Sequence, residues 1–207
     1  MAIVNGYTTL PEFKNWRSGP FDVNDDVRIE DSINAASRGI DHHCKRHFWQ
    51  TAAGTTRVFD ACDWWELYID DVVTVTAVKT DENADGTFET TWAASDYQLL
   101  PLNPAAAPEL EPFNQIIAVA GRRFPPAYTT NRRAGLVQVT ATWGWPAIPE
   151  AVSEACRLIT NRLVKRPGSP EGVAGFDEFG TIRISSRDDP DAVRLLDHYW
   201  DPAKVGV

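Results

Sequence analysis

The hydrophobic period of this chain changes twice, and that change constrains the fold more than any other feature. Between residues 26 and 48, apolar side chains recur every three or four residues, which predicts one long amphipathic helix. From residue 55 to 145 the period becomes two, and β-branched and aromatic residues are frequent, which is typical of strands. Helical spacing returns after Pro149, which lies where the first turn of a second long helix is expected.

Each predicted helix has one apolar stripe, which it must bury against another element. A short helix is expected over residues 11–16, and a last one from Pro190 to about residue 200, capped by Asp188 or Asp189. The last helix is expected to bury Val193, Leu196 and either Tyr199 or Trp200. The stripes of the two long helices are Ile29, Ile33, Ala36, Ile40, Cys44 and Phe48, and Val152, Cys156, Ile159 and Leu163.

The middle of the chain is predicted to form short strands and turns. Trp65, Leu67 and Ile69 alternate with polar positions, so these three are expected on one face of a strand. Residues 81–86 end in Asp-Gly, which predicts the tip of a hairpin. The other predicted segments are a second run of alternation over 73–78, strands over 88–92, 97–100, 115–120, 136–143 and 181–184, and loops over 101–112 and 121–135.

Helices that flank a β-rich middle predict an α+β fold. We expect a small helical bundle with a β-rich domain inserted between the first and second long helices. Residues 1–54 would form the N-terminal arm and first long helix, and residues 55–147 the inserted domain. Residues 148–207 would supply the remaining helices and a C-terminal segment.

Charge and composition exclude some classes of protein. The net charge of −9 argues against a protein that grips nucleic acid, because such grip depends on Lys and Arg at phosphates. A negative wall would instead repel a DNA duplex and keep it mobile. No apolar run approaches the ~20 residues of a membrane span and no signal peptide is evident, so a cytoplasmic origin is expected. The scattered Cys44, Cys62 and Cys156 are expected to be free thiols.

Two segments could bind a metal ion. His43 and His47 are four residues apart, the spacing of zinc-binding helices, but Cys44 stands where such helices carry Glu and no third ligand is evident. A helix that reached residue 48 would place Lys45, Arg46 and His47 at its negative end, which suits the helix dipole. We therefore favour a solvated helix end over a zinc site.

Residues 81–86 match the first half of a calcium-binding loop, with Asp81, Asn83 and Asp85 at alternate positions before Gly86. The bidentate Glu that such a loop needs at its twelfth position is replaced by Trp92. The flanking segments are predicted strands, so a hairpin turn is the favoured interpretation.

Aromatic residues are concentrated in the β-rich middle. A row of exposed Trp could stack on sugar rings, which would indicate a carbohydrate-binding module. Large aromatic side chains more often belong to a core or a subunit interface. The residues concerned are Trp64, Trp65, Trp92, Trp143, Trp145, Tyr68 and Tyr97.

Signatures of catalysis are lacking. The sequence has no G-x-S-x-G, no phosphate-binding G-x-x-x-x-G-K-[ST] and no G-x-G-x-x-G. Adjacent carboxylates such as Asp70 and Asp71 point to opposite faces of a strand. A metal-dependent hydrolase built on His43 and His47 remains an alternative, but these observations lower the expectation of an enzyme.

Three segments together resemble the head-to-tail adaptor (connector) proteins of long-tailed bacteriophages, particularly those that infect actinobacteria. The first is residues 25–38 with their continuation through residue 48. The second is the W-G-W-P-x-x-P turn at 143–149 before a helix, and the third is the K-R-x-x-S-P-E-G stretch that opens residues 165–176. The likeness extends from Tyr7 to Tyr199.

The resemblance implies a structural virion protein with no catalytic residue and no cofactor. It implies a homo-oligomeric ring of about twelve subunits beneath the portal, around a channel through which DNA passes without sequence-specific binding. A stopper or tail-completion protein would sit on the opposite side, and such rings are themselves alternative identities for this chain. The location would be the neck of the virion, with assembly in the host cytoplasm.

Two sets of contact residues are expected. The C-terminal part of such adaptors reaches into the portal, and paired arginines could meet the acidic first helix of the next subunit. The expected portal-contact residues are Glu171, Gly172, Val173, Phe176, Phe179, Ile182 and Ile184, and the expected inter-subunit residues are Arg122, Arg123, Arg132, Arg133, Glu30 and Asp31.

Overall fold

A computed structural model of the 207-residue chain has two compact units. The helical unit comprises residues 1–49 and 148–207, and the sheet unit comprises residues 50–147. The structure describes residues 2–21, 25–106, 110–125, 134–166, 173–177, 180–183 and 189–200, with the backbone alone for 106, 173–177 and 180–183.

Helices and antiparallel strands are both present, so the predicted α+β class is confirmed. Short 3-10 turns also occur at Pro104–Ala106 and Asp197–Tyr199. No helix among the described residues is long and apolar enough to cross a bilayer. The elements in chain order are α1 (Leu10–Arg17), α2 (Asp26–Cys44), β1 (Thr55–Phe59), β2 (Glu66–Thr80), β3 (Thr90–Thr91), β4 (Tyr97–Leu100), β5 (Phe113–Ala118), β6 (Val137–Trp143), α3 (Glu150–Lys165), β7 (Val173–Asp177), β8 (Gly180–Arg183) and α4 (Pro190–Leu196).

Every residue of the stripe predicted for the first long helix is buried, including Phe48. The helix nevertheless ends at Cys44, because Lys45 adopts a left-handed conformation with φ of 57°. The prediction that Lys45, Arg46 and His47 belong to the last turn is therefore wrong. Phe48 is buried after the chain has turned, where its ring meets Tyr7 and Tyr199 edge-on, with ring centroids 5.6 Å apart in each pair.

The N-terminal arm lies along α2 and is tied to it by side chains of the helix. The amide side chain of Asn34 accepts from the backbone N–H of Val4 at 2.9 Å, and the hydroxyl of Ser37 accepts from that of Tyr7 at 3.1 Å. The Tyr7 hydroxyl donates to the carboxylate of Asp41 and accepts from the backbone N–H of Phe48. Burial of the Asp41 carboxylate raises its pKa, and this effect is larger than the opposing effect of the hydrogen bond from Tyr7, which lowers it.

Helix α3 departs from its predicted stripe. Val152 and Cys156 are buried as expected, but the buried face continues through Thr160 and Val164, whereas Ile159 and Leu163 are only half-buried. The reason is that α3 packs against α1, α2 and α4, so its buried face is set by three neighbours. The hydroxyl of Ser37 on α2 lies 3.5 Å from the Cys156 sulfur in this contact.

Helix α4 begins at its predicted cap. The carboxylate of Asp189 accepts from the backbone N–H groups of Asp191 at 3.0 Å and Ala192 at 3.5 Å. The α-helix ends at Leu196 and continues as a 3-10 turn, which buries Tyr199 and leaves Trp200 exposed. Val193 is half-buried, and Asp188 lies outside the described residues.

The main sheet is antiparallel, with strand order β1-β6-β2-β5-β4 and β3 paired to one end of β2. Strand β4 has the predicted bounds, β5 begins and ends two residues earlier than predicted, and β6 begins one residue later. Strands β7 and β8 form a separate antiparallel hairpin.

Strand β2 changes its buried face partway along. Leu67 and Ile69 are buried, but so are Val72, Val78 and the side chain of Thr80. Pairing with β6 shifts register between Val72 and Thr74 and again between Val75 and Ala77. Val73, Val75 and Ala77 are half-buried while Thr74 and Thr76 are exposed, as the predicted alternation requires, but Val78 is buried although it was expected on the side of the threonines. The two irregularities change the buried face of the strand.

Candidate interaction surfaces

The predicted hairpin forms after β2, and its tip gathers acidic side chains. The carboxylate of Asp81, which is fully buried, accepts from the backbone N–H groups of Asp85 at 3.3 Å and Gly86 at 2.7 Å. Oxygen atoms of Asp81, Asp85 and Glu89 lie within 4.8 Å of one another. Trp92, at the position where a calcium loop needs Glu, is buried in the core. Both Asp81 oxygens thus close the turn through backbone hydrogen bonds.

The two histidines of the zinc hypothesis do not share a helix face. His43 lies in the last turn of α2, whereas His47 follows the left-handed Lys45 and packs its ring on Trp49, with centroids 4.5 Å apart. Within the described parts of the chain, the hairpin acids are the only His, Cys, Asp or Glu group spaced for an ion. The structure therefore does not bring a third ligand to His43 and His47 in those parts.

The cysteines differ in their surroundings. Burial raises the pKa of the Cys44 thiol to about 12, and burial also raises that of Cys156. Cys62 is exposed, in the turn that leads into β2. The thiolate is the reactive form of cysteine, so a raised pKa makes Cys44 and Cys156 less reactive. Among the three, Cys62 is the thiol that a reagent in solution can reach, because it is exposed.

Arg122 is used within the chain. Its guanidinium forms an ion pair with the carboxylate of Asp96 at 3.1 Å, and Asp96 also accepts from the backbone N–H of Ala93. Two residues further on, Phe124 is fully buried and stacks on Trp92 with centroids 4.6 Å apart. The segment that begins the predicted exposed loop is therefore anchored to the core at Phe124.

Arg123 lies over two exposed tryptophans. Its guanidinium carbon is 5.2 Å from the ring centroid of Trp65 and 6.0 Å from that of Trp64. Trp64, Trp65 and Tyr68 are 48%, 44% and 51% exposed. We call Trp64, Trp65 and Arg123 the aromatic patch. The predicted placement of Trp65 on the buried face with Leu67 is wrong, because Trp65 precedes β2 and its side chain stays at the surface.

The first half of α2 presents acidic groups beside an apolar one. Val27 is 58% exposed, Asp31 is exposed and Glu30 is half-buried. Residues i, i+3 and i+4 of a helix lie on one side, so we call these three residues the acidic face. The neighbouring Arg28 donates to the carbonyl of Val164 on α3.

The expected portal-contact residues are only partly described. The backbone of Val173, Phe176 and Ile182 belongs to the β7–β8 hairpin, in which Val173 pairs with Arg183 and Phe176 with Thr181. The remaining predicted contact residues lie outside the described residues, and these are Glu171, Gly172, Phe179, Ile184, Arg132 and Arg133.

Among known proteins, this chain is similar to solved structures but to no family model or curated sequence. A chain from the neck of an empty gene transfer agent particle, computed with C6 symmetry, superposes with a TM-score of 0.56 at 19% identity, over 97% of this chain and 92% of that one. A chain from the virion of a native gene transfer agent particle gives a TM-score of 0.54 at 20% identity with the same coverage. This chain therefore shares its fold, over nearly its whole length, with chains of gene transfer agent particles.

Proposed function

We propose that this chain is a structural protein of the neck of a tailed phage or related particle, where it joins head to tail. The observation that carries the proposal is the likeness of fold to a neck chain across 97% of this sequence. The likeness of segments 143–149 and 165–176 to phage adaptors supports it from the sequence. The chain acts as a structural part of the virion and not as an enzyme.

The subunits assemble as a closed ring beneath the portal. A ring of about twelve copies is compatible with the six-fold symmetry applied to the matching neck, because twelve is a multiple of six. Its central opening continues the DNA channel. The net charge of −9 supports a channel wall that repels the duplex and lets it move.

The helical unit forms the bundle of the adaptor, and the sheet unit is an insertion in it. The break between the compact units at residues 49–50 and 147–148 supports this organisation. The segment from Glu171 to Ile184 contacts the portal, and a stopper or tail-completion ring binds the opposite side. Assembly takes place in the host cytoplasm before the protein becomes part of the virion neck.

Two other functions fit part of the observations. A stopper or tail-completion ring would also be a neck protein, and position along the particle axis distinguishes it from an adaptor. The exposed Trp64 and Trp65 favour a carbohydrate-binding module as a second candidate. That candidate requires tryptophan fluorescence that responds to added sugars.

The direct experiment locates the chain in purified particles. We expect cryo-electron microscopy to place a ring of this protein against the portal, and a knockout to give DNA-filled heads that lack attached tails. Co-expression with the portal protein should give a complex that purifies as one species. Normal tailed particles from the knockout, or purified particles that lack the protein, would contradict the proposal.

A further inference from the structure

The aromatic patch has the composition of an interface centre. Trp, Tyr and Arg are the residue types that most often contribute large binding energies at protein interfaces. Trp64 and Trp65 are adjacent in sequence, both lie near the Arg123 guanidinium, and each is close to half exposed. An exposed group of large aromatic residues on a folded unit indicates a binding surface.

The backbone beneath the patch is fixed. The carbonyl of Trp64 accepts from the N–H of Phe124 at 2.9 Å, and that of Trp65 accepts from the N–H of Ala118 at 2.8 Å. The carboxylate of Asp63 accepts from the N–H of Trp65 at 2.6 Å. The patch is thus presented by an ordered segment, and a partner loses little affinity to ordering it.

Charge identifies the kind of surface that the patch fits. Arg123 makes no ion pair with a carboxylate among the described residues, whereas the adjacent Arg122 is paired with Asp96. The Arg123 side chain is exposed, and its guanidinium lies over the aromatic rings. The best complement is an apolar group flanked by carboxylates.

The acidic face of α2 has that chemistry. Val27 supplies an exposed apolar side chain, and Asp31 and Glu30 supply carboxylates one turn further along the same side. Two copies of a chain with net charge −9 repel each other, so their contact needs a local cation that faces an acidic region. Arg123 in the patch meets that requirement.

We propose that the aromatic patch of one copy docks on the acidic face of the next copy, with Arg123 against Asp31 and Glu30 and the tryptophans against Val27. The proposal rests on the proposed ring function and names the contact that closes the ring. Patch and face are different surfaces of the chain, so the contact is heterologous, which is the type that generates rings.

Charge reversal tests the pairing. We expect Arg123→Glu and Asp31→Arg each to weaken self-association at least roughly tenfold, because each places like charges opposite one another. The double variant Arg123→Glu with Asp31→Arg should restore assembly, because the pair is then reversed. Arg122→Gln is the matched control and should assemble as the wild type does, since Arg122 is engaged with Asp96. Native mass spectrometry and sedimentation velocity of the full chain, alone and with the portal protein, give the readout.

Cross-linking tests the location. Cys62 lies two residues before Trp64 and is exposed, whereas Cys44 and Cys156 are buried. We expect a short bismaleimide to link Cys62 of one copy to a cysteine introduced by Val27→Cys in the next, giving a ladder of covalent oligomers. The ladder should be absent from the wild type and from Val27→Cys that also carries Trp64→Ala and Trp65→Ala. Circular dichroism should confirm that these surface variants stay folded.

The outcomes separate this contact from the ring itself. If Arg123→Glu and the double variant Trp64→Ala with Trp65→Ala both form rings as the wild type does, the contact is overturned and the ring function stands. A wild-type chain that forms no ring, alone or with the portal, would overturn both. Fluorescence of Trp64 and Trp65 that responds to sugars, without loss of assembly in the variants, would assign the patch to carbohydrate and overturn the contact.

Discussion

The sheet unit uses tryptophan in two contrasting regions. In its core, Trp92, Trp143 and Trp145 expose 5% or less of their side chains, whereas Trp64 and Trp65 at its surface expose nearly half. The three buried indole N–H groups all donate hydrogen bonds, but no such bond joins Trp64 or Trp65 to another described residue. The acceptors in the core are the hydroxyl of Thr80, the carbonyl of Thr55 and the carboxylate of Asp71.

The difference follows from the cost of burying a polar group. An indole is mostly apolar, but its N–H must find an acceptor when water is removed. The core supplies acceptors from strands that are far apart in sequence, such as Thr55 on β1 for Trp143 on β6. A tryptophan whose N–H has no acceptor within the fold is better left at the surface, where it is available to a partner.

The largest effect is expected at Trp143, whose ring is fully buried and lies under the Arg57 guanidinium at 4.7 Å. Trp143→Ala should lower the free energy of unfolding by about 3–5 kcal/mol, through lost burial and the cavity that remains. Urea denaturation followed by circular dichroism measures the change. A loss below about 1 kcal/mol would contradict the assignment of Trp143 to the core.

The next effect is expected at Asp71, a buried carboxylate that accepts from the indole N–H of Trp145 at 3.1 Å. Asp71→Ala leaves that donor buried without this acceptor and should destabilise the protein by about 1–3 kcal/mol. Asp71→Asn keeps an acceptor oxygen and should cost less than Asp71→Ala under the same denaturation assay. Equal losses in the two variants would mean that the carboxylate matters through another contact.

A smaller effect is expected at Trp92. Trp92→Phe preserves an aromatic ring against Phe124 but removes the donor to the Thr80 hydroxyl at 3.1 Å. The expected loss is about 1 kcal/mol, the typical contribution of one buried hydrogen bond. The double variant with Thr80→Val should lose little more, because both partners are then apolar. Additive losses in the thermal melts would count against a bond between them.

The smallest effect on stability is expected at the surface pair. Trp64→Ala and Trp65→Ala should each change the free energy of unfolding of the monomer by no more than about 0.5 kcal/mol, as is usual for exposed side chains. Chemical denaturation at low protein concentration measures this separately from assembly. A loss as large as that of Trp143→Ala would place these residues in the core and remove the contrast.

Local sequence patterns predicted much of the fold, and particular residues show where they stopped being sufficient. The stripe of α2 and the cap at Asp189 depend on residues within a few positions, and both are as predicted. The burial of Val78 was not predictable, because the register shifts of β2 arise from pairing with β6, more than sixty residues further along the chain. The ion pair between Arg122 and Asp96 likewise joins residues that no local period connects.

The residues of the candidate interaction surfaces were also predicted only in part. Paired arginines and an acidic helix start were visible in the sequence, but Arg122 proved to be engaged within the chain and Arg123 to lie on aromatic rings. The exposure of Trp65 was missed because its spacing from Leu67 fits the alternation of β2. The signal that could have revealed it is its place at the end of the turn that begins at Asp63, ahead of the first residue of the strand.

The sequence alone determined the class of fold, the β-rich middle between the long helices, the buried stripe of α2 and the approximate start of α4, because periodicity and capping act between near neighbours. The tertiary structure decided where α2 ends, which face α3 buries, and which tryptophans reach the surface. Those outcomes depend on contacts between residues that are distant in sequence. A side chain gains free energy from burial only when the fold brings such residues against it.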